Sequence, residues 1–487
     1  MPCPGAAFVA APGPRHQTAG ASDSPMLAPL KTLEQILARL AETIDSLPLT
    51  RSEGFVSLVL ELPQALAIAP EIPGPQFQFA HNHRGEVRAG YGIAGEWTAL
   101  GEARLQTLRT HAKRMSAHWE HLDPDETGFS GFAMLGFASS PVPDAPVEPD
   151  SLPNALLWLP ELALSSCAGQ AAVILSTALP VTREEVFARW KARLEQVIPR
   201  LNQPALDPLT PARLDQGPTE PDAASWQELV LSALEQIEQA HLEKVVVCRR
   251  LRLKGHRRFD LTRLNAALAY LFPSCQVVTI RRHATSFVAA TPERLFTQQR
   301  DRIEVDAIAG TVCRAASADR DAELTSTLRT CHKNLHEHMV VVDAVTDALG
   351  HCSRRIEPPD GPRVMQLNNA QHLWSLVRAE LDPGMDVFQL AELLHPTPAT
   401  NGHPCELARA WLRRSEPIRR GWYTGAAGII EPDLTGELWV LLRCAEIHES
   451  TADLYAGAGI VAGSDPDSEW QETEHKLAAM STALQFA

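Results

Sequence analysis

The chain has 487 residues, of which 45% are hydrophobic and 21% are charged, and its formal net charge is −15. This composition is typical of a globular protein, and the length allows two or three domains or one large α/β unit. The acidic balance argues against nucleic acid or an anionic membrane as a partner, because both would be repelled over much of the surface. An anionic substrate would therefore need a local cluster of cations or a metal ion.

The N-terminal residues 1–28 are rich in Ala, Pro, Gly and Ser and lack the ordered regions of a signal peptide, so we expect a disordered tail. The nine cysteines are scattered and include no C-x-x-C pair, which indicates a reducing, cytoplasmic protein without a disulfide framework. No apolar run approaches about 18 residues, so no transmembrane helix is expected.

Residues 29–225 are predicted to form the N-terminal part of an α/β core. LKTLEQILARLAETI has the period of an amphipathic helix, and SLVLEL and the region of residues 76–95 have that of strands. A further strand, VILSTAL, precedes a helix that should open with a capping box formed by Thr182 and Glu185. Two Pro-rich stretches, 139–153 and 202–225, are predicted to be loops or linkers.

Residues 226–487 contain more signals. Ser225 and Glu228 predict a second capping box at the start of a helix. The predicted strands are KVVVCRRLRL, QVVTIRR, SFVAATP, LWVLLRCAEI and LYAGAGIV, and the predicted helices cover residues 319–350, 386–394, 403–415 and 468–485. This mixed order predicts large sheets whose strands are joined by both hairpins and helices.

Several charged residues suggest a site, although each has a simpler interpretation. Glu469, Glu472 and Lys476 are spaced i, i+3, i+7 and would share one helical face, but acidic residues are also common at a solvated helix start. Glu337 would lie on an apolar helical face and need a partner. The nearby pair His332 and His336 has the spacing of zinc ligands but no evident third ligand, so zinc is not favoured.

Other segments are ambiguous when each is taken alone. Lys244 could be an ordinary edge lysine, and Glu293 with Arg294 an ordinary surface pair. The glycine-rich segments DAIAGTVCR and LYAGAGIVAGSD could bind an anion through backbone N–H groups or could simply be turns.

Taken in order, these segments resemble the chorismate-utilising enzymes, a family of isochorismate, salicylate, anthranilate and aminodeoxychorismate synthases. The resemblance covers roughly residues 226–487 and rests on KVVVCRR, TPERL, AIAGTVCR, KNLHEHMVVVD, NAQHLWS, HPTPATNGHP, RGWYTGAAG, LLRCAEI and YAGAGIVAGSDPDSEWQETEHK. It implies an α/β (α+β) fold in which two large, antiparallel-rich sheets pack together with helices outside. The N-terminal region would contribute strands to one intertwined core.

The resemblance also implies roles for individual residues. Lys244 matches the general base that activates water for attack at C2 of chorismate, and Glu293 matches the general acid that protonates the hydroxyl leaving C4. Glu337 and Glu472 match ligands of Mg²⁺, with Glu469 nearby. The residues implied to bind substrate are Arg443, Lys476, Tyr423, His372, Ala399 and the backbone at Gly310, Thr311, Gly457 and Gly459. Burial would favour the neutral lysine and the protonated glutamate that the reaction requires.

Three positions distinguish among family members. Lys244 argues against an anthranilate synthase, because the matching residue there is not a base that activates water. Ala309 stands where aminodeoxychorismate synthases carry a nucleophilic lysine. Ala399 stands where aminating and salicylate-forming members tend to carry Thr or Ser. Thr400 and Asn401 differ from the aliphatic residue and the Gly or Ser that are usual there. The resemblance thus implies a magnesium-dependent isochorismate synthase acting on chorismate without a glutamine amidotransferase subunit. The sequence leaves the oligomeric state open, and a monomer is the default expectation. A salicylate synthase and a non-catalytic chorismate-binding relative are the alternatives.

Overall fold

The computed structural model describes residues 27–142, 151–201, 211–315, 317–359, 361–368 and 370–487, with side chains from residue 32 onward. Almost all of the predicted N-terminal tail, and parts of both Pro-rich stretches, lie outside the described residues. None of the described helices combines the length and the apolar character needed to span a bilayer.

The elements of the N-terminal part alternate between short helices and hairpin strands. In chain order they are α1 (Leu27–Thr43), β1 (Gly54–Leu62), β2 (Gln76–His81), β3 (Glu86–Tyr91), β4 (Gly95–Ala99), α2 (Arg104–Ala117), β5 (Trp119–Leu122), β6 (Ala133–Phe137), β7 (Ala155–Leu159), β8 (Leu162–Cys167), β9 (Gln170–Leu179) and α3 (Arg183–Val197).

The C-terminal part continues the same alternation. Its elements are β10 (Asp215–Glu220), α4 (Ala223–Glu238), β11 (Lys244–Lys254), α5 (Leu261–Leu271), β12 (Gln276–Arg282), β13 (Thr285–Thr291), β14 (Arg294–Gln299), β15 (Arg302–Cys313), α6 (Ala318–Thr330), α7 (His332–Gly350), β16 (Ser353–Glu357), β17 (Arg363–Gln366), β18 (Ala370–Leu381), α8 (Val387–Leu394), β19 (Gly402–His403), α9 (Cys405–Ser415), β20 (Ala426–Ile430), β21 (Gly436–Val440), β22 (Cys444–His448), β23 (Thr451–Ile460) and α10 (Pro466–Leu484).

Two large sheets contain these strands, and each draws on both parts of the chain. The first sheet has the order β10-β11-β23-β22-β13-β12-β2-β3-β8-β9-β1-β5, with β19 added on β11. The second has the order β16-β18-β15-β14-β21-β20-β6-β7-β4, with β17 added on β18. The described pairs are antiparallel apart from β1 with β5, which agrees with the predicted antiparallel-rich fold class.

The sheets pack together through an aromatic core. Phe77 of the first sheet meets Trp158 of the second with ring centroids 5.1 Å apart and nearly perpendicular, a favourable edge-to-face arrangement. Helices cover the outside: α3, for example, buries Val186, Trp190 and Leu194, which are spaced i, i+4, i+8. Its predicted capping box is present, with Thr182 and Glu185 bonded reciprocally.

The second linker prediction is wrong at its C-terminal end. Residues 215–220 form β10, which pairs with β11, and α4 begins about one turn before the predicted start. The cap is the carboxylate of Asp222, which accepts the N–H of Ser225, so the predicted Ser225–Glu228 capping box does not form the helix start. Asp and Ser are comparable caps, and the sequence offered both within one turn.

The helix predicted at residues 319–350 is in fact two helices. Cys331 has an extended backbone, with φ −70° and ψ 116°, and separates α6 from α7. The break leaves Glu337 in the second turn of α7. No Pro or Gly interrupts residues 319–349, so the sequence contains no strong signal for the break.

Candidate active site

A cavity with about 830 Å³ of empty space, including its open mouth, lies where the two sheets meet α7 and α10. We call it the central cavity. The predicted site residues that line it are Lys244, Glu293, Gly310, Thr311, Glu337, His372, Ala399, Tyr423, Arg443, Gly457, Gly459, Glu472 and Lys476. Glu469 is not among its lining residues.

Lys244 opens β11 and points into the cavity toward α7. Its side chain is 2% exposed, and Nζ donates a hydrogen bond of 2.8 Å to Oε1 of Glu337. Burial would raise the pKa of Glu337, but the ammonium groups of Lys244, Lys476 and Lys333 outweigh burial and lower it. Glu337 is therefore an anion at neutral pH.

Gly459 leaves the space that this ion pair occupies. A Cβ atom at position 459 would lie 2.9 Å from Oε1 of Glu337 and 3.0 Å from Cε of Lys244, closer than normal packing permits. A methyl group at this position on β23 would therefore displace the end of the Lys244 or the Glu337 side chain from its present place.

Glu293 lies where the chain passes from β13 in the first sheet to β14 in the second. It is 5% exposed, and its carbonyl oxygen accepts the N–H of Val440. Burial raises the pKa of its carboxyl to about 8, although the ammonium groups of Lys244 and Lys476 act in the opposite direction. Glu293 is therefore mostly protonated at neutral pH and can donate a proton.

Arg443 lies at a break that the sequence did not predict. The segment LWVLLRCAEI was predicted as one strand, but β21 ends at Val440 in the second sheet and β22 begins at Cys444 in the first. Arg443 has a φ of 48°, a conformation uncommon for a residue other than glycine. This crossing between sheets turns the guanidinium into the cavity.

His372 connects Arg443 to Thr311. Nη2 of Arg443 lies 3.2 Å from Nε2 of His372, and Oγ1 of Thr311 lies 3.0 Å from Nδ1. Burial and the charges of Arg443 and Lys476 hold the pKa of His372 well below 6.5, so the ring is neutral. Because arginine can only donate, Nε2 accepts and Nδ1 carries the proton that is donated to Thr311. The ring thereby fixes the orientation of the Arg443 side chain.

Helix α10 brings the acidic C-terminal segment to the cavity. Asp465 caps the helix by accepting the N–H of Ser468, and Pro466 is its first residue, two positions before the predicted start. One turn further on, Glu472 and Lys476 form an ion pair of 2.7 Å, and Lys476 also donates to the carbonyl oxygen of Gly457 at 2.8 Å.

Glu469 is separated from the cavity lining and is 4% exposed, with Oε1 3.1 Å from Nζ of Lys333. Burial and then the charge of Glu472 raise its pKa. Each of the three predicted metal ligands, Glu337, Glu469 and Glu472, is thus paired with a lysine.

The donor chemistry of the cavity fits a hard cation. Glu337 and Glu472 line the same space, and the charge of Glu472 disfavours ionisation of buried Glu469, which a cation would relieve. Within the described part of the chain, no group of three or more His, Cys, Asp or Glu side chains is arranged to hold a metal ion. The carboxylates present fit two protein ligands of Mg²⁺, which usually keeps several waters.

Backbone N–H groups of β23 face the cavity. Val246 and Cys248 of β11 direct their N–H and C=O groups away from β23. Opposite them on β23 lie Gly459 and Gly457, so both pairs are non-hydrogen-bonded. The N–H and C=O groups of the two glycines therefore point away from β11. Strand β22 pairs with β23 only as far as Tyr455. The amides of Gly457 and Gly459 are therefore on an edge without a neighbouring strand.

The loop of residues 395–404 forms another wall through Ala399 and Thr400. Oγ1 of Thr400 lies 3.3 Å from the carbonyl oxygen of Thr397 and 3.1 Å from its Oγ1. The amide of Asn401 bonds to the carbonyl oxygen of Cys405 in α9. The polar groups of both unusual residues are thus used within the loop.

Sequence reasoning missed some residues around the cavity. Tyr455 lines it and stacks on Tyr423 with ring centroids 5.5 Å apart. Lys333, the partner of Glu469, precedes Glu337 by one helical turn in α7, and this i, i+4 spacing was a signal that could have been used.

A family model described as "Chorismate binding enzyme" matches residues 48–485. The chain belongs to this family. The match is wider than the resemblance read from the motifs, which began near residue 226. It includes the N-terminal strands, in agreement with their place in both sheets.

Several curated relatives in the family are isochorismate synthases. The chain is 34% identical to isochorismate synthase MenF of Bacillus subtilis over 263 residues, which cover 54% of this chain and 56% of that protein. It is 35% identical to the salicylate biosynthesis isochorismate synthase of Pseudomonas aeruginosa over 298 residues, which cover 58% and 60%. The matched region thus spans little more than half the length of these two relatives.

The match to isochorismate synthase MenF of Escherichia coli covers nearly the whole of both chains. The identity is 29% over 456 residues, 93% of this chain and 98% of that protein. The solved structure of that menaquinone-specific enzyme superposes with a TM-score of 0.74 and covers 93% of this chain and 99% of the other. The two-sheet architecture is therefore that of the family.

Proposed function

We propose that this protein is a magnesium-dependent isochorismate synthase that interconverts chorismate and isochorismate. The observation that carries the proposal is the presence in one cavity of Glu293, whose pKa is raised to about 8, and of the buried amine of Lys244. An acid that keeps its proton at neutral pH and an amine in the same enclosed space supply the two proton transfers of the reaction. The relatives named above support the same assignment.

The reaction replaces one hydroxyl of the ring by another. Lys244, as the free amine, takes a proton from a water whose oxygen forms a bond to C2. The double bonds shift, the C4–O bond breaks, and Glu293 donates its proton to the departing hydroxyl, which leaves as water. One proton is gained and one is lost by the protein, so a transfer through solvent restores both groups. In the reverse direction the same two residues exchange roles.

The Lys244–Glu337 ion pair must open before Lys244 can act as a base, because an ammonium bonded to a carboxylate cannot accept a proton. Glu337 and Glu472, with Glu469 in support, would hold a magnesium ion, which when bound would supply positive charge for a carboxylate of the substrate. Lys244 lines the same cavity, so its amine faces the space available to the substrate.

Chorismate carries two carboxylates, and cations from separate elements would bind them in an otherwise acidic protein. Arg443 is oriented by His372, and Lys476 comes from α10. The N–H groups of Gly457 and Gly459 add uncharged donors, as does the hydroxyl of Tyr423.

Two features of the cavity wall support isochorismate as the end product. Ala309 cannot form a covalent adduct with the ring, and Ala399 carries no hydroxyl. The hydroxyl of Thr400 bonds within its own loop, so it adds no free proton donor to this wall.

The test is an assay of the purified protein with chorismate and Mg²⁺, without glutamine or ammonia, with the products separated by chromatography. We expect isochorismate alone, and chorismate when isochorismate is supplied. Salicylate with pyruvate would instead identify the salicylate synthase activity. Unchanged chorismate would overturn the proposal and favour a non-catalytic relative.

A further inference from the structure

A buried ion pair lies behind the cavity wall, outside the predicted site residues. Arg420 and Glu416 have side chains only 9% and 5% exposed. They form a bidentate contact, with Nε 2.7 Å from Oε2 and Nη2 2.8 Å from Oε1. Buried ion pairs contribute little net stability in general, because desolvation offsets their attraction, so stability alone does not explain the pair.

Further hydrogen bonds of the pair reach main-chain groups of β11 and of the loop of residues 395–404. Nη1 of Arg420 donates to the carbonyl oxygen of Thr400 at 2.7 Å, and Nη2 donates to that of Val246 at 2.6 Å. Oε1 of Glu416 accepts the N–H of Cys248 at 2.9 Å. Thr400 and Val246 both line the central cavity.

These contacts fill a gap in the first sheet. On the outer edge of β11, β19 pairs with residues 244–245 and β10 pairs with residues 250–254, so neither strand reaches residues 246–249. In this gap, the carbonyl oxygen of Val246 needs a donor and the N–H of Cys248 needs an acceptor. The guanidinium of Arg420 donates to the first and the carboxylate of Glu416 accepts from the second, so the ion pair takes the place of a strand.

The gap lies next to the proposed chemistry. Lys244 is two residues before Val246 on β11, and Ala399 directly precedes Thr400 in the loop. The N–H of Val246 also donates to the carbonyl oxygen of Asn401 at 2.9 Å, so the ion pair adds side-chain contacts to a main-chain contact between the strand that carries the base and the loop.

We propose that Arg420 and Glu416 are positioning residues that fix the loop of residues 395–404 against β11, so that water and substrate meet Lys244 in a reactive geometry. This inference rests on the proposed function. The pair contacts no cavity space itself, and the substrate-binding cations lie on other elements. Its loss should therefore lower kcat far more than it raises KM, since a misplacement of about 1 Å can cost about 100-fold in rate.

The experiment compares Arg420→Lys with wild type and with Arg419→Lys, a neighbouring exposed arginine. Lysine keeps the charge but lacks the planar fork needed for the carboxylate and two carbonyl groups at once. We expect a 10- to 100-fold lower kcat, a KM for chorismate within about threefold of wild type, and wild-type kinetics for Arg419→Lys. Kinetics are referred to the folded fraction, measured by circular dichroism.

The outcomes separate this inference from the proposed function. If folded Arg420→Lys keeps the wild-type kcat, or if KM changes as much as kcat, the positioning role is wrong. If Arg420→Lys does not fold, Glu416→Gln decides, because its amide oxygen can still accept from Cys248 while the charge is lost; an unchanged kcat there refutes the role. A wild-type protein that leaves chorismate unchanged overturns the proposed function and this inference together.

Discussion

Replacing Glu293 by glutamine should change activity and stability in opposite directions. The variant keeps the shape of the side chain but cannot donate the carboxyl proton, so we expect kcat to fall by about 10²- to 10⁴-fold, the usual contribution of a general acid. The stability effect follows from the pKa of Glu293, which burial raises from 4.5 to about 8.

The sign and size of the stability change can be worked out from that pKa. Because the folded protein holds the proton more tightly than the unfolded chain, Glu293 contributes fully to stability below pH 4.5. The contribution is lost as pH rises to about 8. Each pH unit of this range corresponds to about 1.4 kcal/mol, so the free energy of unfolding falls by about 5 kcal/mol across it.

Glutamine does not ionise and escapes this loss. The free energy of unfolding of Glu293→Gln, minus that of wild type, should therefore increase by about 4 kcal/mol between pH 5 and pH 9. Urea unfolding at both pH values measures it, with the exposed Glu238→Gln as the control that should show no such trend. A difference that is independent of pH would refute the assignment of a buried, neutral carboxyl, and undiminished kcat would refute its role as the acid.

Three further predictions concern the residues around Glu293. Lys244→Ala should lower kcat by at least 100-fold with the fold intact by circular dichroism, whereas Lys254→Ala, at the exposed end of the same strand, should be fully active; comparable activity of the two variants would exclude Lys244 as the base. Gly459→Ala should displace the Lys244 side chain and lower kcat at least tenfold, while Gly350→Ala, where a Cβ meets no atom within 4 Å, should not. Glu472→Gln should weaken Mg²⁺ binding at least tenfold in calorimetric titration of the protein without substrate; unchanged affinity would remove Glu472 from the metal site.

Local signals in the sequence predicted much of the fold. The capping box at Thr182 and the alternation of KVVVCRRLRL depend on neighbouring residues alone, and both predictions are confirmed. The start of α4 was misplaced because Asp222 and Ser225 are both good caps, and only packing of the helix against the sheet selects between them.

The crossing at Arg443 could not be predicted from the sequence. LWVLLRCAEI begins with five apolar residues and is rich in strand-forming residues, and nothing in its pattern marks an end after Val440. The strand changes sheets because β21 pairs with β14 and β20, whereas β22 pairs with β13 and β23. The pairings with β14 and β13 involve residues more than a hundred positions away, which a local pattern does not contain.

The protonation states of the two glutamates in the cavity likewise depend on contacts that a local sequence pattern does not contain. Glu293 and Glu337 are the same side chain in the same enclosed space, yet burial raises the pKa of one to about 8 and nearby ammonium groups lower the pKa of the other. The difference arises because Nζ of Lys244 contacts Glu337 directly at 2.8 Å and reaches Glu293 only through space. The sequence can propose both carboxylates, but which of them keeps its proton depends on which one the lysine touches. In the proposed reaction that choice makes Glu293 the proton donor and leaves Glu337 as the anion for a metal ion.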